Sequence, residues 1–453
     1  MLTIIGILII LSIVTLLMMG KVSPIIAMSC IPFIGALFAG YSVAEISVFF
    51  ESGINKVSKV AAMFLFAILF FSLMKDLHIF DPLIRFMVKM TRGNIIVVCI
   101  MTTLIAGVVH LDGSGAATFL IIIPALLPLY RQLGMSPYLM LLLMCASMGV
   151  MNMVPWGGPL GRASAVTGID ASTLWQHLIP VQLIGMAGAV VFAILMGLRE
   201  KRRIAAASLK GTTPYEMDSL LPVSDDSADI SETVQKPKKP LINGGLIIAS
   251  VICLAFGLLS APYVFMIALS IALMVNFPNP RDQMKILAAH APQALGMVAI
   301  ILAAGAFLGI LSEGGMLESI ATDLTAILPT EWVSKVHIFV GILGVPMDIF
   351  TSTDAYYFAL LPIIQQIAAT VGVDPSSVVY AMAIGNNAGT FVSPFSPAAW
   401  LAMGLAGIDM GRHLRYSFGW IWLFSFFLLA VGALIGLYWS AHLCSSALTP
   451  QCC

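Results

Sequence analysis

The sequence predicts an all-α polytopic membrane protein made of two inverted repeats of five transmembrane helices, each with a re-entrant hairpin and a broken helix. Three observations carry that expectation. The first is composition: 60% of the 453 residues are hydrophobic and 10% charged, whereas a soluble domain holds about 25% charged residues. Apolar runs of span length recur, and within a bilayer helices satisfy their own backbone groups. The second is an internal repeat. GMSP (134–137) is answered by GVDP (372–375), and the GID of 168–170 returns at 407–409; a near-constant offset marks a duplication. The third is where the basic residues fall. Net formal charge is zero, which leaves no bulk attraction for nucleic acid.

The elements follow in order. Run 2–19 lacks a basic leader and a small-residue cleavage pattern, so it reads as a retained helix, not a signal peptide. It matches 242–259; runs 24–40 and 58–74 match 262–276 and 292–311. An amphipathic connector precedes the third run in each half. The next stretches, 94–130 and 336–366, are too long for one helix and carry a polar kink. Each is either two full spans or a hairpin returning to its own side. A span broken by Pro and Gly follows, then a last span (174–198 or 416–440). The repeats are therefore 1–198 and 241–441. Between them, 199–240 is rich in Ser, Asp, Lys and Pro and reads as a loosely ordered linker; 442–453 is a tail.

The charges decide between hairpin and double span. With hairpins and a cytoplasmic linker, 18 of the 22 basic residues lie inside, as the positive-inside rule requires. Only Lys56, Lys59, Arg162 and Lys335 fall elsewhere. Two full spans would put Arg131 opposite Lys75–Arg92. Both termini are then outside.

Each half breaks its helix twice: at 110–118 (HLDGSGAAT) and 152–164 (NMVPWGGPLGRAS), and at 346–357 (PMDIFTSTDAYY) and 385–400 (GNNAGTFVSPFSPAAW). Irregular backbone survives at membrane depth only if buried in protein or lining a cavity. Paired breaks in corresponding positions point to a transporter's binding site. Helices restarting near Gly115, Gly161, Thr353 and Pro397 offer unpaired N–H groups to an anion. Glycines such as Gly113, Gly115, Gly157 and Gly158 admit ligand oxygens close to the backbone. Ser114, Thr118, Asn152, Ser352, Thr353, Asn386, Asn387 and Ser393 supply hydrogen bonds. Together these suit a small carboxylate-bearing substrate.

Arg162 is the one cation placed in this polar core. It reads either as a carboxylate clamp, since guanidinium offers a planar fork, or as an interface anchor. Asp112, Asp348 and Asp354 read either as helix caps or as cation- or proton-coupling groups, because an intramembrane carboxylate marks an ion path. His110 shares that choice with a packed polar role. The seven cysteines include no CxxC pair. Cys30, Cys99, Cys145 and Cys253 read as packing residues, and a disulfide among Cys444, Cys452 and Cys453 stays open. Trp420, Trp422 and Tyr438 read as interface anchors; Trp156 and Trp400, each after a break, either wall the cavity or pack. Two other classes compete: a channel, and an intramembrane enzyme using Asp348 and Asp354. Six residues apart in one hairpin facing a mirrored partner, that pair fits a carrier better, so no catalytic role and no tightly bound cofactor is expected.

HLDGSGAATFLIIIPALLPLYRQLGM, GVMNMVPWGGPLGRA, FTSTDAYYFALLP and VSPFSPAAWLAMGLAGID resemble the citrate–metal–proton symporter family of the ion transporter superfamily over almost the whole chain. The resemblance implies a secondary active transporter in a bacterial inner (plasma) membrane. It would import citrate with protons, as a complex with co-transported Mg²⁺ or Ca²⁺. The alternative is another organic anion (a di- or tricarboxylate or a sugar acid) without metal. More distantly the pattern looks like the divalent anion/sodium symporters, which implies a homodimer and an elevator mechanism. Carried over by position, the resemblance points to Asp112, Asn152, Gly157, Gly158, Arg162, Thr351, Ser352, Asp354 and Ser393. Two departures stand out. Ser114 occupies the place of the second acid in the family's Asp-Gly-Asp-Gly hairpin, and Gly385-Asn386-Asn387 replaces Gly-Gln-Pro.

Overall fold

The computed structural model describes residues 1–19, 21–79, 82, 90, 91, 93–209, 239–327 and 329–438. Every regular element among the described residues is helical. The first half holds α1 (Leu2–Met18), α2 (Pro24–Phe38), α3 (Val43–Asp76), α4 (Ile95–Val109), α5 (Gly115–Gln132), α6 (Pro137–Met151), α7 (Gly158–Thr167) and α8 (Ala171–Leu209). The second holds α9 (Pro240–Ala255), α10 (Ala261–Asn276), α11 (Pro280–Glu313), α12 (Met316–Ile327), α13 (Thr330–Val333), α14 (Val336–Ile342) and α15 (Gly344–Phe350). A π-helical turn (Ala355–Leu360) then leads to α16 (Leu361–Ala369), α17 (Pro375–Asn387), α18 (Pro397–Ala406) and α19 (Met410–Ile435). Six of the described helices are long and apolar enough to cross a membrane.

The repeated sequence motifs mark repeated joints. Gly168 (φ 72°) and Gly407 (φ 67°) each close a ten-residue helix in the left-handed conformation, where a β-carbon is unwelcome. Two residues on, Asp170 and Asp409 accept backbone N–H bonds from Ser172 and Arg412, and so cap the next helix. GID thus means stop, turn and restart. GMSP and GVDP likewise end one helix and place Pro137 and Pro375 in the first turn of the next.

In two places the elements differ from the sequence reading. The amphipathic connector and the third run form one helix, since α3 and α11 each span 34 residues, about 51 Å at 1.5 Å per residue. The reciprocal capping box of Ser42 and Glu45 starts α3 early, and the helix runs on through Ser52-Gly53, where Gly53 meets α11 instead of turning the chain. The linker's beginning is also helical, because α8 continues through Leu209. Arg199–Leu209 holds strong helix formers, with Glu200 pairing to Arg203 at 2.7 Å and accepting from the Ser136 N–H at 2.7 Å. The rest of the linker from 210 to 238, Arg85, Lys89, Arg92 and the tail cysteines lie outside the described residues.

Helices at corresponding positions pair antiparallel. α3 and α11 cross so closely that a β-carbon on Gly53 would sit 2.0 Å from the Gly305 carbonyl oxygen and 2.9 Å from the Gly309 Cα. A Gly-x-x-x-Gly pair (305 and 309) thus receives Gly53. Lipid supplies no hydrophobic drive between helices, so close backbone approach supplies the packing. At either end Tyr41 donates to the Gly314 carbonyl (2.8 Å) and His290 lies 2.7 Å from Asp76. α2 packs on α11 and α10 on α3. α8 and α19 also run antiparallel, with Gly185 against Leu428, Gly188 against Phe427 and Phe192 against Phe424.

The remaining helices exchange partners between halves. α4 packs on α6 and α8 within the first half, as α14 and α15 pack on α17 in the second. The return arms cross over: α5 packs on α18, and the π turn and α16 pack on α7. Trp422 and Tyr438 are not free interface anchors. Trp422 donates to the Ile342 carbonyl at 2.9 Å, and Tyr438 is buried over Gly432. Cys30 is exposed rather than packed; Cys145 is buried and its thiol meets the Phe391 carbonyl at 3.4 Å.

Candidate functional site

The four interruptions meet. In the first hairpin, α4 ends in a 3₁₀ turn, His110–Asp112, and the left-handed Gly113 (φ 72°) reverses the chain. The Asp112 carboxylate accepts from the Ser114 N–H at 2.8 Å, and the Ser114 hydroxyl caps α5 by accepting from the Ala117 N–H. Asp112 thus braces the turn while Ser114 is the cap of α5. The fully buried His110 faces Thr118, Nδ1 to Oγ1 3.1 Å, and lies edge-on to Phe391 of the second half. Gly115 leaves room for Phe391 and Ala398.

The first broken span reaches back to this tip. α6 ends at Asn152, and Trp156 donates from its indole to the Leu111 carbonyl at 2.7 Å. Trp156 is buried and stacked on Phe71; its counterpart Trp400 is 56% exposed and donates to the nearby Pro394 carbonyl. Between the broken spans, Asn152 donates to the Asn387 side-chain oxygen at 3.2 Å, both residues being buried. Gly157 then opens α7. Arg162, one turn in, folds over Gly158 and donates from Nε to Asp354 Oδ1 at 2.7 Å. The side chains are 12% and 16% exposed. Arg162 is thus neither an interface anchor nor an unengaged clamp: an acid of the opposite half already meets it.

Asp348 is the unusual group. It lies within α15 rather than at a cap, 1% exposed, and neither carboxylate oxygen has a hydrogen-bond partner among the described residues. Its side chain lies over Gly389, where a β-carbon would stand 2.4 Å from Oδ2. The Ser393 hydroxyl donates to the Asp348 backbone carbonyl at 2.5 Å. Around it, Asn386 Oδ1, Asn387 Nδ2, Thr390 Oγ1 and the Tyr357 hydroxyl are also buried without partners. Buried polar groups are nearly always satisfied, so these unpaired atoms single out this region as the candidate site.

Not every expected residue takes part. Thr351 bonds back to the Met347 carbonyl of its own turn, and Ser352 caps the restart by accepting from the Ala355 N–H. Thr353 makes no side-chain hydrogen bond among the described residues. Asp348 and Asp354 share no proton bridge, since Asp354 is held by Arg162. Sequence reading missed Tyr357, Thr390 and Phe391. All three lie inside the quoted breaks, Tyr357 at the end of 346–357 and Thr390 and Phe391 within 385–400, yet a tyrosine leading into an apolar run reads as packing. Among the described residues, no three His, Cys, Asp or Glu side chains gather as a resident metal site.

Comparison with known proteins identifies the family. The chain matches the sequence profile of the citrate transporter family, CitMHS, over residues 1–385. It is 32% identical over 420 residues to the citrate transporter of Bacillus subtilis (strain 168), covering 93% of this chain and 95% of that protein. It is 32% identical over 436 residues to the Mg(2+)/citrate complex secondary transporter of the same organism, covering 96% and 99%. The crystal structure of the Alcanivorax borkumensis YdaH transporter aligns with a TM-score of 0.49 at 14% identity, over 88% of this chain and 90% of that one. A profile spanning most of the sequence, and relatives aligned nearly end to end, make this multi-pass membrane protein a member of the citrate transporter family.

Proposed function

We propose that the protein imports citrate as a complex with a divalent cation, driven by protons. The observation that carries this reading is the charge balance where the four breaks meet. Arg162 is neutralised by Asp354, and Asp348 stands without a counter-charge. Free citrate, roughly trivalent near neutral pH, would bring more negative charge to a site with no spare cation among its described side chains, and each unpaired buried charge costs several kcal/mol. A metal-complexed citrate carries about one net negative charge and turns a cation toward acidic groups. The starts of α5, α7 and α18 then face its free carboxylate oxygens. A site where Asp112, Asp348, Asp354 and His110 accompany Arg162, Asn152, Asn386, Asn387 and Ser393 suits such a guest. Protons would travel on Asp348 or Asp112.

The relative named for a Mg(2+)/citrate complex supports the same reading. The antiparallel pairing of α3 with α11 and of α8 with α19 supports inverted repeats. In this reading α1–α3 and α9–α11 form a static scaffold in a homodimer and the remaining helices move as an elevator. The protein sits in a bacterial inner membrane with its linker in the cytoplasm and both termini outside. The test is uptake of labelled citrate into proteoliposomes, with and without Mg²⁺ or Ca²⁺ and an imposed pH gradient. Uptake stimulated by the metal and by an inward proton gradient, with saturation and counterflow, is the expected outcome. Metal-indifferent uptake would favour a free organic anion, and non-saturating flux a channel.

A further inference from the structure

We propose that the groove between α8 and α19 binds an anionic phospholipid, with its acyl chain along the two helices and its phosphate on Arg199. The groove encloses about 470 Å³ and its walls are apolar, formed by Val191, Leu195, Trp420, Leu423 and Phe427 among others. Val191, Leu195 and Leu423 are more than half exposed, so the walls meet whatever fills the space. One end carries charge. The Arg199 guanidinium lies 5.4 Å from the Trp420 ring centroid and 5.9 Å from that of Tyr416. Stacking on aromatic faces fixes its plane without consuming its in-plane N–H donors, and no acceptor among the described residues takes them. Lys201 and Arg202 extend the positive charge onto the next turn, both exposed.

An apolar channel ending in a fixed guanidinium has the complementarity of an acyl chain joined to a phosphate. A basic cluster following a membrane helix is a general anionic-lipid recognition feature. The neighbouring Arg203 is occupied by Glu200 and the Gly134 carbonyl, which leaves Arg199 as the group poised for the headgroup. This site is separate from the four breaks and stands whatever the carried substrate is.

The test uses the full-length protein in lipid nanodiscs and follows Trp420 fluorescence as the difference between the wild type and Trp420→Phe. Brominated phosphatidylglycerol should quench that component at about fivefold lower mole fraction than brominated phosphatidylcholine. Arg199→Gln should erase the preference, while Arg199→Lys, which keeps the charge and loses the fork, should retain part of it in a monodisperse protein. Val191→Phe should weaken quenching by both lipids. Equal quenching by both headgroups in the wild type would overturn the proposal in favour of ordinary annular lipid. Displacement of the preference by inorganic phosphate alone would overturn it in favour of a free-anion site. Absence of quenching, with disulfide formation between Val191→Cys copies, would overturn it in favour of a second copy of the chain.

Discussion

Arg162 donates from Nε to Asp354 across 2.7 Å and thereby joins α7 of the first half to the restart of the second hairpin. Each residue is mostly buried, so removing one leaves the other charged and uncompensated. Arg162→Gln should lower stability by on the order of 3 kcal/mol and abolish citrate uptake. Arg162→Gln with Asp354→Asn should regain most of that stability, seen as a recovered thermal midpoint in detergent, and still fail to transport. A double variant that binds citrate with the native Kd would remove the pair from the site.

Asp348 makes the opposite prediction. Among the described residues neither of its carboxylate oxygens meets a donor within hydrogen-bond geometry, and Oδ1 of the adjacent Asn386 is also unpaired. Asp348→Asn is isosteric and supplies an amide donor, so the protein should be no less stable, within about 0.5 kcal/mol, and could gain. Uptake should lose its dependence on divalent metal and on the proton gradient. Proteoliposomes of this variant that keep both dependences would take Asp348 out of coupling and leave Asp112 as the group to test.

The sequence announced the frame through features whose physics is local. GID, GMSP and GVDP are turn and cap chemistry, and the structure uses them as helix joints in both halves. The polar breaks stand out because polar, Gly-rich backbone is costly in lipid. Partnerships were harder to read, since they depend on how two distant breaks are turned toward each other. Arg162 and Asp354 lie 192 positions apart; each alone suggests a separate task, and only their contact cancels the charge. Asp348 and Asp112 look alike as isolated acids, but a Ser114 N–H serves Asp112, whereas among the described residues no well-formed hydrogen bond meets the Asp348 carboxylate. The fusion of the connector with α3 was hidden because the 34-residue helix changes from an amphipathic to an apolar pattern at Ser52-Gly53, a turn-type pair whose glycine serves the crossing with α11 instead.

The crossing of α3 and α11 should tolerate no side chain at Gly53. A β-carbon there meets the backbone of Gly305 and Gly309, which unlike a flexible side-chain tip has nowhere to go. Gly53→Ala should cost about 1–3 kcal/mol through overpacking and lower the yield of folded protein. Gly296→Ala on the same α11 meets open space and should be neutral or slightly stabilising through helix propensity. Equal melting temperatures for the two variants would show that the helices do not pack at Gly53.

Lys59 on α3 pairs with Asp170 at the joint between α7 and α8, Nζ to Oδ2 2.7 Å, and so ties the proposed scaffold to the proposed moving part. Partial burial works against the Asp170 charge, but hydrogen bonding and attraction from Lys59, with the Ser172 and Thr173 N–H groups, outweigh it and hold the carboxyl below its ordinary value of 3.8. A lowered folded pKa means the stabilisation is fully present above that ordinary value and is lost as pH falls through the folded one. Across pH 5–8 the pair should therefore behave as a constant tether and contribute no pH dependence to transport. Asp170→Asn should cost about 0.5–1 kcal/mol at pH 7, the range for a partly exposed ion pair, and the difference from wild type should shrink as pH falls below 3.8 toward the lowered folded pKa. A disulfide needs closer backbones than a lysine-tip contact ensures, so Lys59→Cys with Asp170→Cys is better joined by a short bis-methanethiosulfonate reagent that spans the lost lysine length. An elevator displaces these elements relative to each other, so the cross-linked carrier should stop transporting citrate until the link is reduced. Undiminished uptake by the cross-linked protein would exclude a rigid-body elevator about this contact.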